Sequence, residues 1–138
     1  MTTITDLRHA IIQPPGWAPP KGYANGVLAS GQQLFVGGQI GWNAQCQFES
    51  DDLVLQVRQA LRNCLDVVEA AGGQAHHITR MTWYLVDKKT YVARLKEIGA
   101  AYREVMGRHF PAMTAVQVVS LVEDRALVEI EVTAVLPD

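Results

Sequence analysis

The sequence predicts an α+β fold in which two helices pack on one face of a β-sheet. Two long segments have apolar residues at helical spacings of three and four, and five short apolar runs bounded by turn residues accompany them. Their predicted order along the chain is β-β-α-β-α-β-β. Two helices cover only one face of such a sheet, so we expect copies of the chain to cover the other face.

The first two strands are predicted to form a hairpin. Val27 to Ala29 and Leu34 to Val36 flank the turn residues at 30–33. Gly37 and Gly38 follow directly, and we expect them to end the second strand or to form a bulge where a backbone or a ligand approaches closely.

The first helix is predicted to begin at Ser50, which can cap it, and to stop at Gly72. Asp51 and Asp52 favour the positive N-terminal end of this helix. Its buried stripe is spaced at three and four residues and consists of Leu53, Val57, Ala60, Leu61, Cys64, Val68 and Ala71.

A second helix is predicted after Thr90, and Gly99 within it suggests close packing on the sheet. Its apolar positions are Tyr91, Leu95, Ile98, Tyr102 and Val105. The remaining strands are predicted over Ile78 to Val86, Thr114 to Leu121 and Leu127 to Leu136. Alternation along the last strand places one set of side chains on the same face, namely Val128, Ile130, Val132 and Ala134.

The length indicates a single domain over residues 1–138, with residues 1–20 as an N-terminal extension. Its Pro-rich part is predicted to be an ordered loop that Trp17 pins to an apolar surface. Asp6 and Arg8 interrupt the N-terminus before any apolar run, so no secretion signal is expected.

The charge balance disfavours a nucleic-acid partner. Lys and Arg number 12 against 14 Asp and Glu, the net charge is −2, and the basic residues form no stripe. The longest uncharged run, residues 22–48, is rich in Gln, Asn and Gly, so no membrane span is expected. Cys46 and Cys64 have no metal-ligand spacing, and a cytoplasmic, reducing location is the simplest expectation.

The common catalytic motifs are absent. The sequence contains no GxxxxGK[ST], no GxGxxG, no GxSxG and no HExxH. A Cys–His nucleophile stays open, although Cys64 is predicted to be buried and Cys46 lies in a polar loop without a local cue.

Three segments carry residues with a candidate chemical role, and each has a purely structural alternative. Glu129, on an otherwise apolar strand, is either an exposed charge or a partly buried carboxylate that orients water. Arg108 and His109 leave the second helix, where they either complement the helix dipole or bind an anion in a cleft. Tyr23 is either a turn aromatic or a phenol that donates to a ligand.

Five segments occur in the order and at nearly the spacings of a known family. They are Tyr23-Ala24-Asn25-Gly26-Val27, Gly37-Gly38-Gln39-Ile40, Glu69-Ala70-Ala71-Gly72, Pro111-Ala112 and Leu127-Val128-Glu129-Ile130-Glu131. On these segments, from about Tyr23 onward, the sequence resembles the RidA/YjgF family of reactive-intermediate deaminases, formerly the endoribonuclease L-PSP family.

The resemblance implies a chorismate-mutase-like fold and a homotrimer whose sheets form a central barrel, with small-molecule clefts between subunits. It also implies hydrolysis of enamines and imines, such as 2-aminoacrylate, to a keto acid and ammonia, without metal or cofactor. Some members were described as ribonucleases or translation inhibitors, a role that the acidic balance of this chain does not support.

Candidate site residues follow from the resemblance, position by position. Glu129 matches the glutamate that holds the attacking water, and Tyr23 matches a tyrosine of the cleft. Gly38 matches a glycine whose backbone lines the cleft, and Gln39 and Ile40 continue that motif.

Four positions depart from the family pattern. Met113 stands where the active deaminases have an arginine that clamps the substrate carboxylate, so that charged bidentate contact is missing. Leu95 replaces an asparagine of the cleft, Ala115 a small polar residue and Gly37 a usual serine. The polar half of the site is therefore expected to have become apolar.

This change predicts a larger and more apolar ligand, to which Met113, Leu95 and Trp42 would be suited. Arg108 and His109 lie within five residues of Met113, so each is a candidate replacement for the missing clamp.

The sequence thus predicts a hydrolytic deaminase of an imine or enamine other than 2-aminoacrylate, in which Glu129 positions water and Tyr23 the ligand. The alternative is a non-catalytic trimer that binds or senses a small metabolite, because the clamp arginine and the asparagine are missing. A ribonuclease or translation inhibitor is a third, disfavoured hypothesis.

Overall fold

Helices and strands are distributed along residues 8–138, the part of the chain that the computed structural model describes. The strands are β1 (Ala10–Ile12), β2 (Gly26–Leu28), β3 (Gln32–Ile40), β4 (Ile78–Leu85), β5 (Ala112–Gln117) and β6 (Val128–Leu136). The helices are α1 (Leu53–Ala70), α2 (Lys88–Ala93) and α3 (Leu95–Met106), and a 3-10 turn precedes β4. None of the helices in this part of the chain is long and apolar enough to cross a membrane.

The main sheet has the strand order β3-β6-β4-β5. β6 is antiparallel to both of its neighbours, whereas β4 and β5 run parallel. The apolar sides of α1 and α3 join the apolar side of this sheet in a single core. The predicted α+β architecture is therefore confirmed.

The core forms because the helical stripe of α1 meets the alternating apolar face of β6. Val57, Leu61 and Cys64 are inaccessible to solvent, as are Val128 and Ile130 opposite them. Each large aliphatic side chain buried in this way stabilises the fold by about 1.5–3 kcal/mol. Cys64 is the small buried thiol that its position predicts, and burial raises its pKa to about 12.

The prediction of Ser50 as the helix cap is wrong, because Asp52 has the extended backbone and the carboxylate that cap α1. The Asp52 side chain accepts the Leu55 N–H at 3.1 Å. Ser50 Oγ instead accepts the Asp52 N–H at 3.0 Å. Asp52 is held from its other side by Arg94, at 2.9 Å.

The predicted hairpin between the second and third strands is also wrong. β2 pairs with β1 in a separate two-stranded sheet, and β3 pairs with β6. Gly31 has φ +145°, and its backbone passes so close to the Leu136 carbonyl that a Cβ would collide with it. The turn therefore directs β3 onto β6 rather than back along β2.

The second predicted helix is divided at Arg94, where φ is −112° and ψ is 19°. Its guanidinium bonds to Asp52 and Glu97, so a contact with a distant segment accompanies the break. The close packing of Gly99 on the sheet is not found. The heavy atom nearest to a Cβ built at Gly99 is Arg103 Nη1, at 3.2 Å.

The N-terminal segment is held by strand pairing and by Gln13. The Gln13 amide donates to the Trp17 carbonyl and accepts from Asn25. Trp17 is 61% exposed, so its predicted contact with an apolar surface is wrong within the described chain. Residues 1–7 of the predicted extension, Asp6 among them, lie outside the described residues.

The sheet face opposite the helices is open in the part of the chain that the structure describes. A shallow hollow of about 420 Å³ lies there, beside Phe35, which is 72% exposed. The polar side chains that line the hollow belong to Arg80, Thr82, Tyr84, Thr114, Glu131 and Thr133. A large exposed aromatic residue on an open sheet face is typical of a surface that another chain covers.

Candidate functional site

The Gly37-Gly38 segment is a β-bulge, the second of the two outcomes that the sequence leaves open, since β3 continues to Ile40. The pairing of β3 with β6 shifts register between Val36 and Gln39, and the Gln39 amide donates to the Gly37 carbonyl at 3.1 Å. The Glu129 carboxylate occupies the space into which a Cβ at Gly38 would project. Glycine at 38 therefore lets the carboxylate lie directly against the β3 backbone.

Glu129 is half-buried, and its carboxylate forms no hydrogen bond or ion pair within residues 8–138. The next acidic residue on the same face, Glu131, is engaged differently, because it accepts the Tyr84 hydroxyl at 2.6 Å. That hydrogen bond to a carboxylate raises the pKa of Tyr84 above its ordinary value. Of the two glutamates, Glu129 is the one whose carboxylate has no hydrogen-bond donor among the described residues, so both of its oxygens can accept a hydrogen bond from outside them.

A cavity of about 300 Å³ lies on the other side of the sheet, between α3 and the edge formed by β4 and β5. Leu95 and Met113, the two apolar replacements predicted for the polar half of the site, both line it. Its remaining lining residues are Lys21, Gly22, Trp83, Tyr91, Ile98, Gly99, Tyr102, Arg103 and Phe110. We refer to it below as the Met113 cavity.

Aromatic rings form the wall of the Met113 cavity. The Trp83 ring lies 6.2 Å from that of Tyr91 and 6.4 Å from that of Tyr102, between centroids. Phe110 stacks on Tyr102 at 5.4 Å. Desolvation raises the pKa of Tyr102 well above its ordinary value, and its hydroxyl donates to the His109 carbonyl at 2.5 Å. These tyrosines are therefore neutral, and the aromatic part of the cavity wall carries no charge.

Tyr23 lies beside the strand that carries Met113. The Ala24 N–H donates to the Pro111 carbonyl at 2.9 Å, and Ala24 forms a parallel bridge with Ala112. Tyr23 itself is 41% exposed. Tyr23 thus lies next to the β5 strand and is partly exposed to solvent.

Arg108 and His109 line a different hollow, with Arg8, Ala75, His76, Met106 and Gly107. The His109 Nε2–H donates to the Ile78 carbonyl at 2.7 Å. Burial lowers the pKa of His109, against the opposing effect of this hydrogen bond. Neither residue lines the Met113 cavity of its own chain, so neither replaces the clamp arginine there.

Trp42 also lies apart from the Met113 cavity. Its ring packs against Phe48 at 5.8 Å, and its carbonyl accepts from Asn63. Cys64 is buried with a raised pKa, which disfavours the thiolate needed for a Cys–His nucleophile. Within residues 8–138, no three His, Cys, Asp or Glu side chains gather as metal ligands.

The predicted site residues divide between the two faces of the sheet. Met113 pairs with the buried Met81, and Ala115 pairs with the buried Trp83, so both face the helices. Glu129 pairs with Tyr84, whose side chain lines the open hollow. One chain therefore does not bring Glu129 and Met113 together.

Sequence reasoning missed Lys21, Tyr91 and Arg103 as cavity residues. None of them lies in a motif, because three separate segments bring them together. The sequence feature that could have indicated the cavity is Gly99, because glycine is unusual within a helix. Gly99 lines the cavity and has no side chain to fill it.

Comparison with known proteins identifies the family. The family model described as Endoribonuclease L-PSP matches residues 16–136. A RutC family protein of Pyrococcus horikoshii is 34% identical over 116 residues, which cover 83% of this chain and 88% of that protein. The 2-iminobutanoate/2-iminopropanoate deaminase of Salmonella typhimurium is 31% identical over 108 residues, 76% of this chain and 80% of that protein.

A solved structure of similar fold covers nearly the whole chain. The Rid family protein YyfB of Yersinia pestis has a TM-score of 0.84 and 30% identity, with 94% of this chain and 100% of that chain covered. The sequence match and the fold agree along the same length of chain, and the chain therefore belongs to the RidA/YjgF family.

Proposed function

We propose that the protein hydrolyses an imine or enamine other than 2-aminoacrylate, in a cleft between the chains of a homotrimer. The observation that carries this proposal is the Glu129 carboxylate, which lies against the Gly38 backbone and has no hydrogen-bond or ion-pair partner among residues 8–138. Relatives named as 2-iminobutanoate/2-iminopropanoate deaminases support the general class of reaction.

The proposed chemistry needs one proton acceptor and one water. Glu129 accepts a proton from a water whose oxygen attacks the imine carbon, and the π electrons of the C=N bond move to nitrogen. Glu129 returns this proton to the nitrogen, which gives a neutral aminoalcohol. Glu129 then takes the hydroxyl proton and delivers it to the departing nitrogen, so the C–N bond breaks, ammonia and a carbonyl compound leave, and the carboxylate is regenerated.

The proposed cleft needs two chains because the site residues lie on opposite sheet faces. Glu129 and Gly38 supply the half that holds water, and Met113 with Leu95 supplies the half that holds the substrate body. Tyr23 lies beside the second half. The open sheet face, with Phe35 exposed on it, supports assembly through that face.

Met113 argues against the small imino acids as the main substrates. A charge-assisted hydrogen bond contributes about 1.5–3 kcal/mol, so the absence of an arginine at this position weakens binding of a carboxylate roughly tenfold to a hundredfold. Apolar contacts in the Met113 cavity can offset this loss for a larger substrate.

The test is imine hydrolysis by the purified protein. An amino-acid oxidase generates 2-iminopropionate or a bulkier imino acid, semicarbazide traps what remains, and wild type is compared with Glu129→Gln and Met113→Arg. We expect turnover of bulky imines by wild type, its loss in Glu129→Gln, and a gain for 2-iminopropionate in Met113→Arg. Equal turnover by wild type and Glu129→Gln would contradict the proposal.

The second candidate function is a non-catalytic, metabolite-binding trimer, which the apolar side chains of Leu95 and Met113 favour. It predicts a ligand-induced rise in melting temperature with no turnover of any imine. Activity that arises only in Met113→Arg would support it, because the scaffold would then be competent without the native residue.

A further inference from the structure

We propose that the Met113 cavity binds the aromatic or branched apolar body of an organic carboxylate, and that Lys21 and Arg103 at its rim hold the carboxylate group. This inference rests on the proposed function in one respect, since it assigns a substrate class to the same site. Lys21 and Arg103 become the candidate anion-binding groups of this cavity. Arg108 and His109 line a different hollow.

The cavity has an apolar interior and a cationic rim. Trp83, Ile98 and Tyr102 are almost completely buried at its base. Lys21 and Arg103 line the same cavity and are exposed. A volume of about 300 Å³ lies at the small end of ligand pockets, which fits a phenyl or branched aliphatic group better than a methyl group.

The rim cations are available for an anion. Arg58, Arg94 and Arg125 each pair with a carboxylate of the chain. In contrast, neither Lys21 nor Arg103 forms an ion pair within residues 8–138. An anionic group bound at the rim would therefore gain a charge-assisted contact without displacing an existing one.

Gly99 leaves space for the side chain of Arg103. A Cβ built at Gly99 would lie 3.2 Å from Arg103 Nη1. The Arg103 guanidinium therefore lies next to the place where Gly99 has no side chain. Glycine is unfavourable relative to alanine within a helix. The space that the missing side chain leaves for Arg103 gives a physical reason for glycine at this position.

A buried donor is also present in the cavity lining. The Trp83 indole N–H has no acceptor among the described residues, although the atom is buried. An unsatisfied buried donor is unfavourable, and a ligand oxygen at this position would satisfy it. Keto, imino and carboxylate groups all offer a lone pair, so the indole favours a ligand that is apolar with a polar end.

The first experiment measures binding without turnover, by isothermal calorimetry. The probes are 3-phenylpropionate, its uncharged amide 3-phenylpropanamide, and propionate, which lacks the ring. We expect 3-phenylpropionate to bind about tenfold or more tightly than either of the others. Equal affinity for the acid and the amide would overturn the role of the rim cations.

Substitutions at the rim of the cavity test which side chains contribute to the binding of 3-phenylpropionate. Lys21→Ala and Arg103→Ala are each expected to weaken 3-phenylpropionate binding about tenfold and to leave the affinity for the amide unchanged. Lys96→Ala is the matched control, because it removes an exposed cation of α3 that does not line the cavity. Gly99→Ala is expected to fold at least as stably as wild type and to bind more weakly. Full binding by all these variants would overturn the proposal.

The Trp83 indole gives an independent readout. The chain has 3 tryptophans, so its amide correlation spectrum has as many indole N–H peaks, and Trp83→Phe assigns the relevant one. Saturating 3-phenylpropionate is expected to shift that peak most. An unmoved Trp83 peak despite binding would show that the ligand lies elsewhere and would overturn the proposal.

These outcomes separate the inference from the proposed function. Binding of 3-phenylpropionate that depends on Lys21 and Arg103 supports the inference even if no imine is hydrolysed. Conversely, turnover that depends on Glu129 but shows no preference for bulky substrates, with no binding of the probe, would retain the proposed function and overturn the inference.

Discussion

At Gly38, a missing side chain decides where a carboxylate can lie. The Glu129 carboxylate fills the space of the absent Cβ, whereas nothing lies within 4 Å of a Cβ built at Gly37. The two adjacent glycines therefore have different roles: Gly38 accommodates the Glu129 carboxylate, and Gly37 belongs to the bulge without a steric constraint from the described residues.

Gly38→Ala is expected to displace Glu129 and to lower kcat/KM for imine hydrolysis by an order of magnitude or more, because misplacement of about 1 Å costs roughly a hundredfold. Gly37→Ala, one residue away, is expected to leave the rate within about twofold. Steady-state kinetics of both variants, with melting temperatures to verify folding, provide the measurement. Equal effects of the two substitutions would contradict the steric argument.

At the residue level, the sequence could indicate Glu129 and Gly38 because both belong to a contiguous motif that accompanies the family resemblance. It could not indicate Lys21 or Arg103, because their role depends on a cavity that a loop and a helix form together. Arg108 and His109 are close to Met113 along the chain but not in the folded structure. The turn after α3 carries them to another hollow.

Among the elements, α1, β4 and β6 follow their periodic patterns, since buried faces dominate them. The hairpin prediction failed because β1, with only Ala10–Ile12, gives too short a pattern to be recognised as the partner of β2. The division at Arg94 carries no glycine or proline signal. It accompanies contacts to Asp52 and Glu97 that only the folded chain contains.

Asp52 links two elements, because it caps α1 and pairs with Arg94 at the break between α2 and α3. Asp52→Ala is expected to lower the free energy of unfolding by about 1 kcal/mol through the lost cap. Asp52→Asn retains a cap acceptor and is expected to lose less, since a partly exposed ion pair contributes little. Urea unfolding at a fixed protein concentration measures both.

The dependence of protein stability on acid pH provides a second test of the role of Asp52. The hydrogen bond from Arg94 is the main cause that lowers the Asp52 pKa below 3.8. Its stabilising effect is therefore complete above about pH 3.8 and is lost as the pH falls through the lower native pKa. Asp51→Ala is the control, because Asp51 pairs with Arg125 at the surface. A larger loss in Asp51→Ala than in Asp52→Ala would contradict the assignment.

His109 connects the end of α3 to β4 through its bond to the Ile78 carbonyl. Burial lowers its pKa, so the unfolded chain takes up a proton near pH 6.5 before the native chain does. Stability is therefore expected to fall as the pH drops from about 6.5 through the lowered native value. His109→Gln, which retains a donor, should lose less melting temperature than wild type between about pH 7.5 and about pH 5.5. An identical loss would contradict this role.

On the scale of the whole molecule, the open sheet face and the division of the site have the same explanation. The helices bury one face, and residues 8–138 leave the other uncovered, with Phe35 exposed on it among polar side chains. The sequence could predict this incomplete cover from its count of helices. It could not predict that Glu129 and Met113 lie on opposite faces, because that depends on the register of three strands.

The chain is expected to be a trimer at micromolar concentration, with a mass by light scattering of three times 15.2 kDa. Phe35→Asp places a charge on the open face and is expected to yield monomers, since each buried phenylalanine contributes about 1.5–3 kcal/mol to association. Val67→Asp adds the same charge to the exposed side of α1 and should leave the trimer intact. Because a monomer keeps Glu129 and Met113 on opposite faces, imine hydrolysis should disappear with the trimer in Phe35→Asp and persist in Val67→Asp. A wild-type monomer, or an active Phe35→Asp monomer, would contradict a site shared between chains.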